Sequence, residues 1–216
     1  MKKIISLMTV LVLCLALTAF AVSCGETDEK NNSDNNDNNA NNQQIAELPS
    51  IEELDLGEYL RLAEYKELDM GACEAESRGD AIWGRILDET EIIAFPEGWL
   101  EYYVEQEKMS YLYMAQRTGT SYEEVLSLLE VTEENIISNA TENAKEDLVM
   151  AALIKLEGIE LTEENINELF DTYVTRYTLI GYNESYIREN FRDEILDAML
   201  RDKTIEFLII NNNFEE

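Results

Sequence analysis

The chain has 216 residues, with 16 Lys+Arg against 46 Asp+Glu, no His and a net charge of −30. Such sparse cations do not supply the basic face that displaces counterions from nucleic acid, and without His neither a Ser-His-Asp or Cys-His relay nor His-ligated zinc can be assembled. With 45% apolar residues there is still enough to bury a core, so composition points to an acidic, globular, non-catalytic protein needing no cofactor and no metal.

Lys2 and Lys3 precede an uncharged apolar run, Ile4 to Val22, which ends in Ala21-Val22-Ser23-Cys24-Gly25. Small residues before a Cys at this distance resemble the bacterial lipoprotein pattern, in which the Cys is acylated and the chain is cut just before it. The resemblance implies that residues 1–23 are a signal peptide, that Cys24 carries lipid, and that the chain sits on the outer face of the bacterial cell membrane. Ala21 departs from the Leu usual there. The alternative is an uncleaved membrane helix, since 19 apolar residues can cross a bilayer. The polar stretch after Cys24 favours the lipoprotein reading. Cys14 then leaves with the signal, and Cys73 remains as a lone, idle thiol with no His to activate it.

Residues 24–50 hold Cys24 and an Asn/Asp-rich stretch with almost nothing apolar, so a disordered tether of r.m.s. reach about 28 Å is expected. A calcium loop starting at Asp34 fails its template, with Asn39 where Gly is needed and Ile45 where Glu is needed. Five of the nine Gly fall between Gly57 and Gly98, and residues 51–94 read as a short irregular connector, with a possible strand near Lys66 to Met70 and a strand or helix at 81–87. Arg78-Gly79-Asp80 falls here. Adhesion ligands display that tripeptide on a hairpin, but no paired strands flank it, so chance is the expected origin.

From Trp99 onward there is no Pro and each of three Gly stands where a helix should stop, which predicts an all-α body over 95–216. Pro96 is placed to open a long helix with the stripe Leu100, Tyr103, Val104, Tyr111, Met114 and Ala115, stopped by Gly119. Ser121 and Glu124 read as a capping box. Thr132 caps a helix to Glu157 whose expected inner face is Ile137, Ala140, Ala144, Leu148, Ala151 and Ala152. Thr162 caps the next, with Ile166, Leu169, Phe170, Tyr173, Val174 and Tyr177 on one face. Asn183 starts the last helical region, with Phe191, Ile195, Met199, Leu200, Phe207 and Leu208 inside.

The segments FPEGWLEYYVEQEKMSYLYMAQRTGTSYEEVLSLLEVTEENI (95–136), KEDLVMAALIKLEGIELTEENI (145–166) and MLRDKTIEFLI (199–209), in this order, resemble the C-terminal domain of trigger factor. Glu97, Gly119, Ser121, Leu148, Val149, Glu157, Ile159, Thr162, Glu163, Glu164, Lys203, Phe207 and Leu208 fall on the family's pattern. The resemblance implies a long-helix body with protruding helical arms that cradles unfolded polypeptides. Nothing here resembles the family's ribosome-docking domain, and about 25 residues between the connector and Pro96 are too few for its prolyl-isomerase domain. The expectation is therefore a non-enzymatic, membrane-tethered extracytoplasmic holdase for unfolded or newly exported polypeptides, with no ribosome and no nucleic acid as partner. Its expected client-binding residues are Trp99, Tyr102, Tyr103, Tyr111, Tyr113 and Met114, because 99–122 holds more aromatic and Met side chains than one buried stripe needs. The rival is a passive helical surface lipoprotein that binds one specific protein or cell-wall partner.

Overall fold

The computed structural model describes residues 53–179 and 181–215; the expected signal peptide, Cys24 and the tether lie outside the described residues. In chain order come α1 (Leu56–Tyr59), β1 (Leu60–Arg61), β2 (Asp69–Ala72), a 3-10 turn (Ala75–Ser77), α2 (Arg78–Glu89), β3 (Glu91–Ile92) and α3 (Trp99–Thr118). They are followed by α4 (Tyr122–Leu128), α5 (Glu133–Glu157), α6 (Glu163–Leu179), α7 (Glu184–Asn190), α8 (Arg192–Ile210) and β4 (Asn213–Glu215). The fold is all-α, as expected. The strands are two to four residues long and only tie ends together: β1 pairs antiparallel with β3, and β2 pairs parallel with β4, Asp69 lying opposite Asn213.

Local chemistry sets most of the helix ends. The Ser121 hydroxyl accepts from the Glu124 amide at 3.2 Å while the Glu124 carboxylate accepts from the Ser121 amide at 2.9 Å, a complete capping box. Thr132 and Thr162 accept in the same way from the amides of Asn135 and Asn165, and both Asn side chains return the bond. Pro96 differs from expectation. Gly98 stands at φ 77°, a left-handed conformation that a helix cannot contain, and the Trp99 amide donates to Pro96 O at 3.0 Å. Pro96 therefore opens a turn, and α3 begins only at Trp99.

The described residues form two compact units. One comprises 53–100 and 142–215. Its core joins Leu68, Ile82, Ile86, Val149, Leu153 and Leu208, bringing the segment before β2, α2, α5 and α8 together. The segment 51–94 is thus less irregular than expected, since α2 is a 12-residue helix with Ile82 and Ile86 fully buried. At 81–87 the pattern resolves to helix, and the strand forms at Asp69–Ala72 rather than from Lys66. Gly79 lets α2 lie close to α8: a Cβ there would stand 2.9 Å from Ile205 Cγ2. The Arg78 guanidinium covers the Phe214 ring at 5.2 Å. Arg78-Gly79-Asp80 is thereby the first turn of a packed helix rather than a displayed loop.

Asn212 latches this unit. Its Oδ1 accepts from the Leu68 amide at 2.8 Å, and its Nδ2 donates to Tyr65 O and Leu208 O at 2.9 and 2.7 Å. Glu157 at the end of α5 accepts from Tyr65 Oη at 2.6 Å and Lys66 Nζ at 2.7 Å, and these bonds hold its carboxyl below the usual range. Lys203 donates to Glu160 O and Asn165 Oδ1 at 2.6 and 2.9 Å, fastening α8 to the start of α6. Phe191 sits among Tyr177, Tyr182 and Tyr186, with ring centroids 5.7–5.9 Å away. Two expected inward positions are corrected. On α5 it is Ile136, not Ile137, that is buried, and on α6 Leu169 is exposed while Tyr173, Val174 and Tyr177 are buried.

The other unit's described part is Glu101–Thr141, which holds most of α3, all of α4 and the start of α5. Ala115, Val125, Ile136 and Ala140 are its buried apolar side chains.

Candidate functional site

The site is built on α3, which has apolar side chains on opposite sides. At 3.6 residues per turn, Leu100, Tyr103, Val104, Tyr111 and Ala115 share an arc of about 120°, and this is the side that packs: Ala115 is buried and the others are half-buried. Tyr102, Met109, Leu112 and Tyr113 share a second arc of about 100°, centred on the other side of the helix. Met109 is 45% exposed and Leu112 38%, while Tyr102 and Tyr113 are half-buried. A helix that only completed a core would carry one such stripe and a polar back. Here the back is apolar too, interleaved with Glu105, Gln106 and Gln116.

A polar node holds the packed side. The Glu107 carboxylate, 8% exposed, accepts from Tyr111 Oη at 3.2 Å and from Asn139 Nδ2 of α5 at 3.1 Å. Burial, reinforced by the adjacent Glu107 charge and hydrogen bond, pushes the Tyr111 hydroxyl up to about 12. Tyr111 is therefore a neutral donor at physiological pH, and it fixes α3 against α5. The surroundings are acidic: 101–141 contains eight Glu against Lys108 and Arg117, and Lys108 is paired with Glu105 at 3.6 Å. Outside this face, Leu128 and Leu129 at the end of α4 and Ile137 on α5 are also exposed.

The structure separates the six residues expected to touch a client. Trp99 is 1% exposed and its indole N–H donates to Ala144 O at 3.1 Å, so it is a core residue; its bulk and its need for one polar partner are met inside the protein. Tyr103 and Tyr111 belong to the packed side. Tyr102 meets Tyr103 edge to face at 5.3 Å and, with Tyr113, belongs to the outer face. Met114 is 41% exposed, but by helical angle it lies on the flank of the packed side, near the end of α3. Met109 and Leu112 complete the outer face. Leu112 escaped the sequence reading because an aliphatic residue between aromatics looks like core; its spacing of ten residues from Tyr102 and three from Met109 carried the signal. Among the described residues there is no group of three or more His, Cys, Asp or Glu placed to hold a metal ion, and Cys73 is a partly exposed free thiol.

The family described as bacterial trigger factor protein (TF) C-terminus matches residues 72–210, which includes α2 and so begins earlier than the segments quoted above. Among curated proteins, the trigger factor of Clostridioides difficile (strain 630) is 25% identical over 171 residues, covering 77% of this chain and 39% of that protein. The trigger factor of Streptococcus pyogenes serotype M49 (strain NZ131) is 28% identical over 136 residues, 59% of this chain and 31% of that protein. That of Leuconostoc citreum (strain KM20) is 27% identical over 156 residues, 69% and 35%. The chain thus spans between three and four tenths of the length of these relatives. No solved structure matches it.

Proposed function

This chain belongs to the family of the bacterial trigger factor C-terminus, and on that premise we propose that it is a holdase: it binds exposed apolar stretches of unfolded polypeptides and delays their aggregation. The observation that carries this reading is the outer face of α3, where Tyr102, Met109, Leu112 and Tyr113 leave apolar and aromatic surface open on a helix already anchored by its other side. Burying one such side chain is worth about 1.5–3 kcal/mol before the costs of ordering the client are subtracted. A few of them together give weak, exchanging capture rather than permanent complexes. Met and Tyr suit the task because they adapt to many partners and need no fixed shape.

The proposal extends to where the holdase works. The Lys2-Lys3 start, the Ile4–Val22 run and Cys24 support a lipid anchor at the outer face of a bacterial membrane, with newly exported polypeptides as clients. Acyl chains contribute about 0.8 kcal/mol per buried methylene, enough to hold the acidic body at the membrane. Prolyl-isomerase activity is not part of the proposal. The residues between β2 and the turn into α3 form α2 and β3, and α2 buries Ile82 and Ile86 in the core rather than framing a pocket for an X-Pro bond.

The test is light scattering from an unfolding model client, with a chain starting at Cys24. The wild-type chain should slow aggregation at a few-fold molar excess, and Met109→Ser/Leu112→Ser should lose most of that protection while keeping its circular dichroism. No protection of any of several clients would overturn the holdase in favour of a surface lipoprotein with one specific partner.

A further inference from the structure

Apolar packing by itself does little to fix how α3 is rolled about its own axis. The packed and outer arcs each carry two Tyr, Tyr103 and Tyr111 on one and Tyr102 and Tyr113 on the other, beside aliphatic or Met side chains, so burial alone favours one side only weakly. Glu107 breaks the tie. It stands about 20° from the middle of the packed arc and is 8% exposed. Its bonds from Tyr111 Oη at 3.2 Å and from Asn139 Nδ2 at 3.1 Å end on the same oxygen, Oε1. Tyr111 belongs to α3 and turns with it, so the bond from Asn139 on α5 is the one that depends on the roll. A carboxylate held by a hydroxyl and an amide is not the most stabilising choice for such a place, since an apolar side chain of similar volume would avoid the cost of desolvating it. What a lone polar group at a packed position supplies is a unique register, as it does in coiled helices.

We propose that Glu107, acting through Asn139, is the positioning residue of the client face: it fixes the roll of α3 so that Met109, about 160° round the helix from Glu107, stays open to a client. The inference rests on the reading of this face as a binder of apolar polypeptide, and adds which residue keeps the face open. Glu107, Tyr111, Asn139 and Met109 all lie within Glu101–Thr141, so the device is complete in one compact unit. Its role is one of position rather than charge. Because both bonds end on one oxygen, the amide oxygen of a Gln can accept them in place of the carboxylate. Met109 itself reports the roll. It lies opposite the middle of the packed arc, so a roll of α3 in either sense carries it toward the packed side and lowers its exposure, now 45%. An all-apolar node would keep the core and lose the register, so the strip that serves clients would be drawn into packing.

The experiment compares the full chain 1–216 with Glu107→Leu/Tyr111→Phe/Asn139→Leu, which makes the node apolar, and with Glu107→Gln, which keeps its acceptor. Three quantities are read: the urea midpoint, the rate at which hydrogen peroxide oxidises Met109, and protection of an unfolding model client from aggregation. Oxidation is followed by peptide mass spectrometry, with the buried Met150 and Met199, 3% and 2% exposed, as internal controls. The apolar-node variant should have a midpoint equal to or above that of the wild type, while its Met109 oxidises several-fold more slowly and its client protection falls several-fold. Glu107→Gln should stay close to the wild type in all three. A midpoint that drops together with protection would make the node a plain structural contact and overturn the proposal. So would oxidation of Met109 at the wild-type rate in the apolar-node variant, or a Glu107→Gln that behaves like that variant. Oxidation needs no client, which separates the two readings. If Met109 slows as expected but the wild-type chain protects no client, the holdase reading falls and the roll assignment stands; if the wild type protects and the oxidation rate is unchanged, the positioning proposal alone falls.

Discussion

The two compact units spend their apolar residues differently. In 53–100 with 142–215, Ile82, Ile86, Trp99, Leu148, Leu153, Ile187, Ile195 and Leu208 are fully buried, and hydrogen bonds from Asn212, Tyr65, Lys66 and Lys203 close the ends. In Glu101–Thr141, Ile136 is the one large fully buried aliphatic side chain among the described residues, while Met109, Leu112, Met114, Leu128, Leu129 and Ile137 remain exposed. The contrast is one of proportion. The first unit also leaves Ile93, Leu156, Leu169, Leu179 and Ile210 exposed but buries many more large apolar side chains than it exposes, whereas the second exposes more than it buries, around the Glu107–Tyr111–Asn139 node.

The largest effect should come from breaking the first unit. Leu208→Ala removes a fully buried side chain from the junction with Ile82, Ile86, Val149 and Leu153 and should cost about 2–5 kcal/mol, read as a shift in the urea midpoint. If the cost is below about 1 kcal/mol, that core is not the source of stability. Next, Asn212→Ala strips partners from the Leu68 amide and from Tyr65 O and Leu208 O, and should cost about 1–3 kcal/mol. An unchanged midpoint would show that the latch is dispensable.

A pH titration sharpens the comparison, since both units hold hydroxyls raised to about 12: Tyr65 and Tyr173 in the first, Tyr111 in the second, in each case chiefly by burial. A folded value above the unfolded one, which lies near 10, means that this stability is fully present below pH 10 and is lost as pH rises toward 12. Thermal unfolding should therefore fall steeply over that window, and less steeply in Tyr65→Phe/Tyr173→Phe; an identical slope would refute the assignment. The smallest effect on stability belongs to the outer face. Met109→Ser/Leu112→Ser should move the midpoint by no more than about 0.5 kcal/mol while abolishing most client protection. A loss of several kcal/mol would mean that these side chains serve the core.

Most helix boundaries were legible because their chemistry is local. Ser121 with Glu124, Thr132 with Asn135 and Thr162 with Asn165 close their bonds within three residues, and no distant partner can alter that much. The family pattern was legible for a related reason: Glu157 and Lys203 are polar groups with fixed tasks, accepting from Tyr65 and Lys66 and donating to the start of α6. The candidate site was half legible. An excess of aromatic and Met residues over 99–122 is visible in composition, but which of them point out is not, because Trp99 and Tyr102 look alike until Ala144 is known to wait for the indole N–H.

By itself the sequence determined the all-α class, the stops at Gly119, Gly158 and Gly181, the caps and the acid surplus. Tertiary structure decided that Ile136 rather than Ile137 faces inward, that 81–87 is helical, and that Gly79 is a packing contact against Ile205 rather than part of an adhesion loop. It also decided that Asp69–Ala72 pairs with Asn213–Glu215. The physical reason is range. A cap is settled by neighbours three or four residues away, whereas the Leu68 amide finds its acceptor at Asn212, 144 residues on, and no window of local sequence contains both.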